Sequence, residues 1–166
     1  MRVPGATWSR AQAVIAALER AEWIPQLLVR LFVGYFFFET GWAKAQNLDA
    51  MTARFVGWGI PLPGLSVVLS VYTELIGGAL LVLGLGTRLA AIPLLINMLV
   101  AIFSVNIRNV TGLDDFVELD TPLYALFFIW LLCAGPGPVS LDHLVWTRGL
   151  SSGRVPAAES VARRDP

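Results

Sequence analysis

Four stretches of the chain are almost free of charged side chains, and they constrain its fold more than any other feature. They cover about residues 24–43, 65–85, 89–107 and 119–134. A helix needs about 20 mostly apolar residues to cross a bilayer, so the first three are long enough. The fourth is short unless it begins near Phe116. Backbone in lipid must satisfy its own hydrogen bonds, so we predict an all-α integral membrane protein, a four-helix bundle.

The composition agrees with a membrane protein. Of the 166 residues, 56 % are hydrophobic and 14 % are charged, and the mean hydropathy is +0.67. Ordinary soluble domains are far less apolar. The net charge is zero, which gives no indication of nucleic acid as a partner.

The segments flanking the spans are of a different kind, so we divide the chain at residues 23 and 146. Residues 1–23 contain an apolar face with Val14, Ile15 and Leu18. This pattern predicts an amphipathic helix that begins at Arg10 and is capped by Ser9. We expect the helix to lie on the cytoplasmic surface of the membrane. Docking on a partner subunit is the alternative. Residues 24–146 form the four-span domain, and residues 147–166 are predicted to be a mobile cytoplasmic tail.

The basic residues predict the orientation of the chain. Four spans put both termini on one side, and that side receives nine of the 12 Lys and Arg residues. The other side receives Lys44, Arg54 and Arg108. The positive-inside rule therefore places both termini in the cytoplasm, with the opposite side periplasmic or extracellular.

Polar residues inside the spans are the candidate site. Glu74 lies in the middle of the second apolar stretch and shares a helix face with Ser70 and Gly78. Small residues let a neighbouring helix approach closely, so this face is expected to point into the bundle. The candidate packing glycines are Gly34, Gly41, Gly77 and Gly78, and the candidate polar pocket comprises Glu39, Lys44, Glu74, Asn97, Asn106, Arg108 and Asp120.

An ionised carboxylate in hydrocarbon is costly, so Glu74 is expected to be protonated or paired. Lys44, Asn97 and Arg108 are its candidate partners. Two interpretations stay open. Glu74 either fixes the register of the bundle through a buried hydrogen bond or ion pair, or it forms a pocket for a quinone head group, a small substrate or a proton.

Other chemistry is limited by the inventory of side chains. Cys133 is the single cysteine, so a disulfide within the chain is excluded. Because Cys133 lies in the fourth apolar stretch, we predict that it is a small core residue. His143 is the single histidine, which excludes a bis-histidine haem. No cluster has metal-ligand spacing, so no metal site is predicted. Asp120 precedes Thr121-Pro122, a sequence typical of a helix start with Asp120 or Thr121 as cap.

Several sequence stretches together resemble the DoxX family of small bacterial membrane proteins. They are RLFVGYFFFETGWAK, FVGWGIPLPGLS, YTELIGGALLVLGLGTRLAA and GPGPVSLD, and the match spans about residues 27–142. The resemblance implies a four-helix bundle in a bacterial inner membrane. It also implies an association with quinone-linked redox chemistry or with partner redox enzymes. The family pattern falls on Arg30, Gly34, Gly41, Lys44, Pro61, Glu74, Gly77, Gly78, Gly84, Thr87 and Arg88.

Three functions follow as hypotheses. The chain is an accessory subunit linked to quinone-associated redox chemistry, a purely structural subunit of a larger membrane complex, or a small transporter. No cofactor is evident in the chain, although a quinone is the candidate. The expected partners are the lipid bilayer and other membrane subunits, or a second copy of the chain.

Overall fold

The computed structural model describes residues 5–108 and 110–145, and all regular structure within them is helical. The all-α prediction is thereby confirmed for this part of the chain. The predicted mobile tail, residues 147–166, lies outside the described residues. The helices are α1 Gly5–Arg20, α2 Trp23–Ala45, α3 Leu48–Gly57, α4 Pro63–Leu83, α5 Thr87–Ser104, α6 Leu113–Val117 and α7 Asp120–Ala134, with a 3-10 turn at Asn106–Arg108.

Three of the described helical stretches are long and apolar enough to cross a membrane: Arg10–Ala45, Pro63–Leu83 and Thr87–Arg108. The chain is therefore a membrane protein whose helices contact lipid. Helix α7 is apolar but has 15 residues. At 1.5 Å per residue it is about 22 Å long, shorter than a hydrocarbon core of about 30 Å. A four-helix transmembrane bundle thus stays a prediction.

The helices pack in chain order, α2 on α4, α4 on α5 and α5 on α7. The main core lies between them and contains Phe37, Leu81, Leu94, Phe128 and Leu131. A second core fixes α3 against the first half of α4 through Met51, Phe55, Ile60, Val67 and Val71. Large apolar side chains also cover the outside, among them Phe32, Leu89 and Phe103, as expected where the surrounding solvent is lipid.

Two predicted helix starts are wrong. Helix α1 begins at Gly5 rather than Arg10, so Ser9 lies inside the helix. In α7 the N-cap residue is Leu119, and no side chain caps the helix. Asp120 is instead the first helical residue, where a carboxylate still interacts favourably with the helix dipole. Neither change in a helix start alters which residues belong to the apolar segments.

Candidate functional site

Close contact between the backbones of α2 and α4 positions the site. A Cβ added at Gly41 would lie 2.5 Å from the backbone N of Leu75, and one added at Gly78 would collide with the backbone N of Phe38. The two antiparallel helices can therefore approach this closely only because glycine has no side chain. This approach places the last turn of α2, which carries Lys44, beside Glu74 on α4.

Glu74 lies at the centre of a polar network that joins three helices. Lys44 Nζ on α2 donates to both carboxylate oxygens of Glu74, at 2.7 Å to Oε1 and 2.6 Å to Oε2. Asn97 Nδ2 on α5 donates to Oε1 at 3.0 Å. Ser70 Oγ, one turn earlier on α4, donates to Asn97 Oδ1 at 2.9 Å. This chain of hydrogen bonds runs towards the Glu74 carboxylate, which accepts from Lys44 and Asn97.

The two charges of this network differ in exposure. The Glu74 side chain is 4 % exposed and the Lys44 side chain is 33 % exposed. Because α2 ends at Ala45, one residue after Lys44, the pair lies near that end of α2, which we call the Lys44 end. The carboxylate is thus buried, whereas the Lys44 side chain that binds it reaches the molecular surface.

The other members of the predicted polar set lie apart from this network. Glu39 is exposed on α2, and Asp120 is exposed at the start of α7. Asn106 and Arg108 belong to the 3-10 turn after α5. Arg108 is exposed, with its guanidinium group beside Gly59. Of the three candidate partners of Glu74, the structure therefore brings Lys44 and Asn97 to it and places Arg108 elsewhere.

A second polar centre lies at the opposite end of the helices. It was not predicted as a site, although its Arg30 is part of the family pattern. Arg30 on α2 is 2 % exposed. It donates to the carbonyl oxygens of Pro136 and Val139, the latter at 2.7 Å. Gln26 donates to the carbonyl oxygen of Gly135 at 3.0 Å. The segment of residues 135–142 is thereby bound to the first half of α2.

Asp142 fixes the other end of the 135–142 segment. Its Oδ1 accepts from the Gly86 N–H at 2.8 Å and its Oδ2 from the Thr87 N–H at 3.2 Å. These are the unpaired donors at the start of α5, whose own N-cap, Gly86, offers no side chain. The glycine at this N-cap position was the one feature of the sequence that could have predicted a capping side chain from a distant part of the chain. A cavity of about 500 Å³ adjoins this cap, lined by Gly86, Arg88, Leu89, Pro136, Gly137, Asp142 and His143.

The described part of the chain contains no group of three or more His, Cys, Asp or Glu residues that could hold a metal ion. Thr111, in the loop before α6, donates hydrogen bonds to Asp115 on that helix, and these lower the pKa of the Asp115 carboxyl group. The prediction of Cys133 as a core residue is wrong, because Cys133 is exposed. Its carbonyl oxygen accepts from Arg88 at 3.2 Å.

Together the fold and the site define a small helical membrane protein in which an ion pair with a buried carboxylate joins two closely packed helices. The family model of DoxX matches residues 26–107. The chain is 33 % identical over 151 residues to the "Uncharacterized membrane protein Rv3486" of Mycobacterium tuberculosis, a match that covers 82 % of this chain and 91 % of that protein. The chain belongs to the DoxX family.

A second relative carries a functional name. The chain is 32 % identical over 134 residues to the "Putative oxidoreductase CatD" of Bacillus subtilis, and the match covers 81 % of this chain and 96 % of that protein. No solved structure matches the chain significantly.

Proposed function

We propose that this protein is an accessory subunit of a membrane redox system and acts in quinone-associated chemistry through the Glu74 site. The family and the oxidoreductase name of the Bacillus subtilis relative support a redox setting. With one cysteine and one histidine, the sequence cannot supply a disulfide relay within the chain or a bis-histidine haem. In this proposal the electrons therefore come from a partner subunit.

The observation that carries the proposal is that the Lys44 side chain, one-third exposed, holds its ammonium group against a buried carboxylate. An ammonium group has three N–H donors, and Glu74 uses two of them. The third donor suits a carbonyl oxygen of a quinone head group, and Glu74 suits a proton exchanged there. A bound quinone would supply two-electron, two-proton chemistry, while Lys44 orients the head group.

Purification from native membranes tests this proposal. We expect quinones to be extracted from the wild-type protein purified in mild detergent and to be identified by mass spectrometry. The amount of quinone per protein should be lower in Lys44→Met and Glu74→Gln. Asp49→Asn is the matched control, because Asp49 is an exposed carboxylate near the same end of the helices. Equal quinone content in all four proteins, or none in the wild type, would refute the quinone role.

The proposal includes a membrane arrangement. Helices α2, α4, α5 and α7 form a four-helix bundle in the inner membrane with both termini in the cytoplasm. The start of α2 fixes α1 close to the membrane surface, and α1 presents apolar side chains that no other described part of the chain covers. These are Trp8, Val14, Ile15 and Leu18, each more than half exposed. An interfacial position for α1 buries them in the lipid boundary.

A purely structural role is the alternative, and one observation favours it. The Glu74 carboxylate already accepts hydrogen bonds from Lys44 and Asn97, so the network needs no ligand to satisfy it. A subunit of this kind would stabilise partners by helix packing. In that case Glu74→Gln would purify with the same partner proteins as the wild type and leave the redox activity of the complex unchanged.

A further inference from the structure

The geometry around Glu74 is that of a receptor for one ammonium group. Both carboxylate oxygens lie within 2.7 Å of a single nitrogen, Lys44 Nζ. Asn97 holds the carboxylate from the opposite helix, with its own oxygen occupied by Ser70. Both carboxylate oxygens thus accept from the ammonium group, and Oε1 also accepts from Asn97. Such short contacts are typical of charge-assisted N–H···O bonds.

A metal ion fits this site poorly. Ca²⁺ binds about 6–8 oxygen ligands and Mg²⁺ about six. The site offers two carboxylate oxygens, and no metal-binding group of acidic, His or Cys residues occurs in the described residues. A quaternary ammonium ion also fits poorly, because it has no N–H to donate. A primary ammonium group, by contrast, matches the contact that Lys44 itself makes with both oxygens.

The ammonium group in the site is tethered rather than fixed. It sits on a flexible four-carbon stem, and its side chain is 33 % exposed, against 4 % for Glu74. An outward swing of Lys44 would leave the buried Glu74 carboxylate with the hydrogen bond from Asn97 but without its cation. Lys44 is also the only lysine in the sequence.

We propose that the Glu74 site binds small primary ammonium ions from the Lys44 end, and that the Lys44 side chain is a built-in occupant which such an ion replaces. The proposal concerns the same site as the proposed function but does not require a quinone. A protein that binds ammonium ions but retains no quinone would refute only the proposed function. A protein that retains quinone but binds no ammonium ion would refute only this inference.

Chemical rescue of Lys44→Ala in nanodiscs is the first test. Removal of the stem leaves room for a short alkyl group, so we expect the variant to have a lowered melting temperature and ethylammonium chloride to restore most of the loss. Tetramethylammonium chloride and NaCl at equal ionic strength should restore little, and Lys44→Ala/Glu74→Gln should not respond to ethylammonium. Equal recovery with tetramethylammonium, or none with ethylammonium, would overturn the proposal.

A second test uses the folded wild-type protein and therefore does not depend on the stability of a variant. A charged amine-reactive ester modifies Lys44 and the N-terminal α-amine, and mass spectrometry gives the ratio of the two products. Ethylammonium also reacts with the ester and lowers its concentration, but this slows the modification of Lys44 and of the α-amine equally. The ratio of the two products is therefore unaffected by that loss of ester. Because the tether gives Lys44 an effective concentration of about millimolar or more, concentrated ethylammonium is required. We expect the Lys44 share to rise and saturate; an unchanged share overturns the proposal.

Discussion

At the scale of single residues, the buried carboxylate was predictable and its partner was not. An ionised group in hydrocarbon must be paired, so the sequence points Glu74 inwards and limits its partners to the few polar residues of neighbouring helices. The choice between Lys44 and Arg108 depends on two features that a sequence does not display. One is the contact of α2 with α4 through Gly41, and the other is the end of α5 at Ser104.

We expect Glu74→Leu to destabilise the protein by about 1–3 kcal/mol, because it leaves Asn97 without its acceptor, while the partly exposed Lys44 can turn to the surface. Glu74→Gln should cost about 1–2 kcal/mol, since an amide oxygen still accepts and Asn97 can turn its own amide. Lys44→Met/Glu74→Leu should recover part of the loss by removing both charges. Thermal or denaturant unfolding in nanodiscs measures all three. A Glu74→Leu variant as stable as the wild type would show that the pair is not a stabilising contact.

At the scale of helices, the glycines of α2 and α4 determine how closely the two can pack. The sequence shows glycines at helical spacing, but it does not show which of them face a backbone. Gly78 faces the backbone of α2, whereas Gly77 faces the side chain of Leu94 on α5. Gly64, in the first turn of α4, faces open space. The same residue type therefore has three different constraints within one helix.

Gly78→Ala is expected to be strongly destabilising, by about 1–3 kcal/mol or more, because backbone atoms of α2 cannot move aside as a side chain can. Gly77→Ala should cost less, since Leu94 can adjust. Gly64→Ala is the matched control and should be neutral or stabilising by about 0.4–1 kcal/mol. Unfolding of the three variants in one detergent gives the comparison. Equal stability of Gly78→Ala and Gly64→Ala would contradict the close packing of α2 and α4.

The 135–142 segment shows what a sequence pattern hides at this scale. GPGP indicates a break after α7, but not that the chain then turns back onto α2 and α5. Two carbonyl groups that Arg30 binds belong to this irregular backbone, which has no periodicity to analyse. Asp142 lies 55 residues from Thr87 along the chain, so no local rule for helix caps could have found it.

Asp142→Ala should destabilise the start of α5, by about 0.5–2 kcal/mol, the usual effect of removing a side-chain cap. Asp142→Asn should retain most of the stability, because its amide oxygen still accepts one backbone N–H. Glu118→Ala, at an exposed carboxylate, is the control and should change little. Hydrogen exchange of the first turn of α5 is the direct measurement. Unaltered protection of that turn in Asp142→Ala would mean that the cap does not contribute.

At the scale of the whole molecule, the two polar centres lie at opposite ends of the helices. Arg30 and Lys44 are 14 residues apart on α2, about 21 Å along its axis. Hydropathy predicted the three long helices well, because each is continuous and apolar. It could not decide the role of α7, whose 15 residues are short for a span. Whether α7 crosses the membrane determines on which side the chain ends.

Cysteine accessibility in intact cells distinguishes a four-span from a three-span arrangement. In a Cys133→Ser background, single cysteines replace Glu22, Gln46, Asp114 and Val145, all of which are exposed and lie at or beyond helix ends. Nine of the 12 basic residues favour a cytoplasmic position for both termini. We therefore expect a membrane-impermeant maleimide to modify Gln46→Cys and Asp114→Cys, and to modify Glu22→Cys and Val145→Cys only after the cells are lysed. Modification of Val145→Cys together with Asp114→Cys in intact cells would show that α7 does not cross, while modification of Glu22→Cys would reverse the orientation of the entire chain.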